Sequence, residues 1–158
     1  MSNNNAQVQL LNLAKIQNQL DEIVFENIDT GRNWERAQML LRKLLEDSEQ
    51  FFSNILERTN GKLPKANSYW ALFMDLVAKL TYFTAYAEQQ LGEEPSILAS
   101  KYAAAVSFLP NCEHEGCVEF FEEVCESYKA VANEDLPKKS YSISEAIENY
   151  FNFLKASK

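Results

Sequence analysis

The stretch that decides the fold runs from Asn67 to Gly92, NSYWALFMDLVAKLTYFTAYAEQQLG. Tyr69, Trp70, Leu72, Phe73, Met74, Leu76, Val77, Leu80, Tyr82, Phe83 and Tyr86 fall on nearly every side of a helix. A helix that is hydrophobic all round is one surrounded by other elements. Asn67 or Ser68 can cap its start and Gly92 can stop it, which predicts a central helix over about 67–91. Asp75 and Lys79 stand four apart and can pair on its least buried edge.

Working outward, amphipathic helices flank it on both sides. Ala6 to about Glu26 carries Val8, Leu11, Ile16, Leu20, Ile23 and Val24 at spacings of three and four. Asn33 can cap a helix from Trp34 to about Arg58, whose stripe is Trp34, Ala37, Leu41, Leu44, Leu45, Phe52, Ile55 and Leu56. Its opposite face holds Arg36, Arg42, Lys43, Glu46, Asp47, Glu49 and Glu57, and Asn60-Gly61 closes it. Pro95 suits the first turn of a helix from about Ser96 to Leu109. A polar loop, Asn111 to Gly116, precedes a helix from about Cys117 to Ala132 with Val118, Phe121, Val124, Cys125, Tyr128 and Val131 as its apolar set. Ser142 and Glu145 form a capping box for a last helix, Ile143 to about Ala156. Six helices with short connections predict an all-α, single-domain bundle of antiparallel neighbours over residues 1–158, with 1–5 as a disordered tail.

Composition agrees. The chain has 158 residues, 46% of them hydrophobic and 12% aromatic, which excludes disorder. Four glycines and four prolines are too few for the tight turns of an all-β domain. The net charge of −8 disfavours direct binding to nucleic acid or to an anionic membrane surface, because both need clustered Lys and Arg. The best candidate span, Tyr69 to Ala87, contains Asp75 and Lys79 and is not read as crossing a membrane. The first nine residues lack a basic region followed by an apolar run, and the three cysteines are odd in number and clustered. Both features predict a reducing, cytoplasmic setting.

Two constellations bear chemistry. Cys112, His114, Cys117 and Cys125 are residue types that tetrahedral zinc prefers. Cys125 lies about 12 Å along the axis from Cys117 if both are helical, which works against one shared ion. Glu113 and Glu115 oppose a thiolate beside His114, so a catalytic cysteine is not expected. The second set is Glu123, Glu126, Glu145 and Glu148. Carboxylates three apart share a helix face and can hold Mg²⁺ together. Their spacing resembles that of all-α nucleotide pyrophosphohydrolases, and the resemblance implies a Mg²⁺-dependent hydrolase. The sequence departs from that pattern: Glu stands where the second element usually has Asp, no Arg follows Arg58, and Lys129 is the one basic residue of the fifth helix.

No glycine-rich phosphate loop and no metalloprotease or nucleophile-elbow motif occurs. The expectation is therefore a non-enzymatic protein–protein interaction module without a cofactor: an adaptor, a regulator or inhibitor, or a small subunit of a complex. It would meet a basic partner through acidic helix faces, centred on Glu113, Glu115, Glu119, Glu122 and Glu126 and extending to the charged face of the second helix. The alternatives are the Mg²⁺-dependent hydrolase and a zinc-stapled structural protein. The aromatic third helix reads as core, with a homo-oligomer seam as its alternative.

Overall fold

A computed structural model describes residues 10–111, 115–137 and 140–157. Among these residues every regular element is helical. The helices are α1 (Leu13–Ile23), α2 (Trp34–Arg58), α3 (Ser68–Gln90), α4 (Pro95–Phe108), α5 (Glu115–Ala132) and α6 (Ile143–Ala156). The bundle expected from periodicity is the architecture found.

Helix ends follow their caps. Asn12, Asn33 and Asn67 each accept a backbone N–H of the first turn through the side-chain oxygen. This removes one of the donors that a helix start leaves unsatisfied. Ser142 and Glu145 make the reciprocal capping box. Asn60 and Gly61, with φ of 56° and 87°, close α2 in the left-handed region that glycine and asparagine tolerate.

The first helix departs from expectation. Leu10 to Asn12 are outside it, and it starts at Leu13 because Asn12 caps there; residues 6–9 of the expected helix lie outside the described residues. At its far end it does not stop near Glu26 but continues as a π-helical turn, Val24–Ile28. The wider turn leaves Phe25 71% exposed and brings Asn27 inward, where its Nδ2 donates to the Ile23 carbonyl at 3.1 Å. Helix α5 also differs: it begins two residues early, at Glu115, and Phe120 is buried while Val118 faces solvent. The face meeting α4 runs through Phe120 and Val124, and Val118 lies off that line.

Helix α3 packs against α1, α2, α4 and α6. It reaches α5 through side chains: Tyr82 meets Phe120 edge to face with centroids 5.4 Å apart. Two hydrophobic clusters divide its surface. Leu76, Leu80 and Ala87 join Ile16, Leu20, Ile23, Ala37, Leu41 and Leu44. Trp70, Phe73, Met74, Val77 and Tyr82 join a larger core built with α2, α4, α5 and α6. In that core Phe52 stacks on Phe73 at 14°, and Tyr150 meets Phe52 and Phe108 at 5.0 and 5.2 Å. The aromatic side of α3 is core within one chain, as the favoured reading had it. Asp75 and Lys79 pair at 2.9 Å on its half-buried edge.

Neighbouring positions on α3 give a direct test of this packing. Phe73→Ala should lower unfolding stability by about 3–5 kcal/mol, through lost burial and the cavity left behind. Leu72→Ala, at a site 61% exposed, should stay within about 0.5 kcal/mol. Urea unfolding followed by circular dichroism checks both.

Candidate functional site

Among the described residues, the one ionised group buried to the level of the core is Glu88, at 1% exposure near the end of α3. A lone buried carboxylate would be expensive, so it must be compensated. Arg42 of α2 meets one oxygen at 2.5 Å and Lys101 of α4 meets the other at 2.6 Å. Gln38 also donates to it, at 3.3 Å. Burial pushes the Glu88 pKa up, but the hydrogen bonds from Lys101 and then Arg42, the charge of Lys101 and the bond from Gln38 outweigh burial and hold it below the ordinary carboxylate value. At neutral pH Glu88 is thus an anion that clamps α2 and α4 to α3.

Beside this clamp lies a cavity of ≈ 170 Å³ between α2, α3, α4 and α6. Arg42, Leu45 and Glu49 line it from α2, three positions on one helical row. Thr81, Thr84 and Glu88 line it from α3, with Lys101 and Phe108 from α4. Tyr150 and Phe153 of α6 complete the wall. Both threonine hydroxyls donate to carbonyls one turn back, at 2.8 and 2.6 Å. Tyr150 differs. Its hydroxyl is sealed from solvent and has no hydrogen-bond partner among the described residues. Such a group costs about 1–3 kcal/mol relative to a satisfied one. Burial, and secondarily the charge of Glu49, push its pKa far up, so it stays a protonated donor.

The residues singled out in the sequence are distributed differently. Glu115, Glu119, Glu122 and Glu126 are all exposed on α5; Glu113 lies outside the described residues. Among the described residues none of these four makes an ion pair, because the one lysine of α5, Lys129, pairs with Asp135 at 3.4 Å. Glu123 accepts a hydrogen bond from the Tyr82 hydroxyl at 3.2 Å, and Glu145 accepts the Ser142 N–H of the capping box at 3.0 Å. With Glu126 and Glu148 they do not gather: among the described residues no group of three or more Cys, His, Asp or Glu is placed to hold a metal ion.

Cys117 is disulfide-bonded and Cys125 is half-buried. A disulfide sulfur has no thiolate to offer zinc, so in this oxidised form Cys117 is lost to the proposed ligand set. Cys112 and His114 lie outside the described residues. On α2, Arg42 and Glu49 are not members of a purely solvated charged face: Arg42 turns to Glu88, and both line the cavity. Reading the sequence missed Glu88, Lys101 and Tyr150. The available signal was a lone acid, Glu88, in the last turns of an otherwise apolar helix.

Comparison with family models, with curated proteins and with solved structures returns no match.

Two outcomes are expected of the Glu88 clamp. Arg42→Met or Lys101→Met leaves one cation in place, whereas the double variant strands a buried carboxylate and should cost about 3–5 kcal/mol, more than the two single losses combined. Urea unfolding at neutral pH and a double-mutant cycle measure this. The second outcome concerns pH. The folded-state pKa of Glu88 is depressed, so its contribution is complete above the unfolded value of about 4.3 and is lost as pH falls through the folded value. The stability gap between wild type and Glu88→Gln should therefore narrow as pH is lowered from neutral into the acid range.

Proposed function

We propose that the chain is a non-enzymatic binding module that recognises a basic protein through the outer face of α5, with an adaptor, regulatory or subunit role. The observation that carries this reading is the row Glu115, Glu119, Glu122 and Glu126. These residues follow one another at spacings of four, three and four, so they lie along one side of the helix. Like charges at such spacings destabilise a helix by about 0.2–0.5 kcal/mol per pair. Elsewhere in the fold, neighbouring charges cancel: Lys43 pairs with Asp47 and Lys79 with Asp75. The four glutamates of this row have no ion pair among the described residues, and a cationic partner would convert their repulsion into attraction.

The same face carries Val118, 43% exposed, which gives the charged row an apolar contact point. A mixed patch of this kind suits electrostatic steering followed by close contact. No helix among the described residues is long and apolar enough to cross a membrane. Disulfides persist in oxidising compartments and are reduced in most cytosols, so the Cys117 bond weighs against the cytoplasmic location expected from the sequence.

The test compares wild type with a Glu119→Lys, Glu122→Lys, Glu126→Lys variant in pull-downs from the native host. All three sites are exposed, so the variant should keep the wild-type circular dichroism spectrum. A specific basic partner should be captured by wild type, released by salt and absent from the variant, and its association rate should fall at least about tenfold. Capture of the same proteins by both forms would refute the reading.

A further inference from the structure

The cavity beside Glu88 has polar groups in its wall, but they are engaged within the protein. Thr81 and Thr84 give their hydroxyl protons to the Val77 and Leu80 carbonyls. Glu88 accepts from Gln38 and Arg42 at one oxygen and from Lys101 at the other. Tyr150 adds wall without adding a polar contact, because its hydroxyl is sealed from solvent. What the cavity presents is therefore mostly carbon, with Leu45, Phe108 and Phe153 in the wall. Arg42 is exposed and Leu45 and Phe153 are half-buried, so the cavity lies close beneath the surface, within reach of a small molecule.

Size, charge and neighbouring rings narrow the class of occupant. The volume of ≈ 170 Å³ compares with the roughly 150 Å³ of an apolar cavity that takes up benzene. The formal charges around it cancel, Arg42 and Lys101 against Glu49 and Glu88. An ion entering would give up hydration with no net charge to attract it. Water finds few open partners there, and replacing poorly ordered water with an apolar group favours binding. Phe108 stands edge to face with Tyr150 and with Phe153, at centroid distances of 5.2 and 5.3 Å. Aromatic pairs gain more than their buried area alone predicts, so a wall of this kind favours a further ring.

We propose that this cavity is a binding site for an uncharged, single-ring aromatic molecule, held by apolar and ring–ring contact with no hydrogen bond to the wall. The assignment is independent of the acidic face of α5, since none of the wall residues belongs to that helix.

Titration of the full chain with ethylbenzene, benzylammonium and benzoate, followed by amide NMR shifts, tests it. Benzylammonium keeps the skeleton of ethylbenzene and exchanges the end methyl for a cation; benzoate places an anion on the same ring. Ethylbenzene should give saturable shifts below its limit of solubility and bind at least about tenfold more tightly than either ion. Its protons should show nuclear Overhauser contacts to Leu45, Phe108 and Phe153, which locates it without any substitution. Leu45→Trp, which fills the lumen from a half-buried position, should abolish binding. Leu72→Trp, at an exposed site that lines no part of the cavity, should leave it unchanged. The proposal is overturned if ethylbenzene shows no saturation, if either ion binds equally well, or if the contacts fall on other residues, such as the exposed Phe25 or Val118. Binding that survives in a folded Leu45→Trp protein overturns it too; should that variant not fold, the contacts decide alone.

Discussion

Helix α3 gives water no more than one narrow edge. Over its 23 residues the buried set runs through Trp70, Phe73, Met74, Val77, Leu80, Tyr82, Ala85 and Glu88, leaving only a narrow edge at Leu72, Asp75 and Lys79 in reach of water. An exposed helix of this composition would leave several hundred Å² of apolar surface in water, at about 25 cal/mol per Å². The other five helices therefore have a common task, which is to cover it. That requirement explains why α1, α2, α5 and α6 are strongly one-sided while α3 is not. It also explains why two hydrophobic clusters meet along α3 rather than forming one round core.

Covering a helix completely creates a difficulty wherever its sequence turns polar. Thr81 and Thr84 resolve it locally by returning their hydroxyls to the backbone one turn earlier. Glu88 cannot do this, because a carboxylate has no proton to donate and its charge needs an opposite one. It draws Arg42 from one neighbouring helix and Lys101 from another. Two long, partly solvated cationic side chains do not pack as tightly as leucines would, and α2, α3, α4 and α6 meet there around an open volume. The cavity thus lies where the central helix carries its buried charge.

The sequence made visible whatever is written at short range. Asn33, Asn67 and the Ser142–Glu145 box mark helix starts within one turn of themselves, and the helices begin there. The apolar periodicity of Trp34–Arg58 located α2 at both ends. Features that depend on distant pairing were hidden. Arg42 reads as one more charge on a solvated face until Glu88, 46 positions later, is brought beside it. Lys101 and Tyr150 carry no local mark of their roles at all. The choice between Val118 and Phe120 as the buried member of α5 turned on the angle at which that helix meets α4, which periodicity alone does not fix to better than one position. The π turn at Val24–Ile28 has the same origin: an extra residue per turn alters no composition.

The inner and outer electrostatics are connected. A chain with 15 basic and 23 acidic residues cannot neutralise every carboxylate, so where its cations are engaged decides where negative charge remains. Glu88 engages two of them at once. Lys43, Lys79 and Lys129 are each held by a nearby aspartate. The surplus then appears on α5, where glutamates follow one another along the solvent side and Lys129 is turned toward Asp135. With five glutamates against one lysine, α5 keeps the largest net negative charge of the helices in the fold.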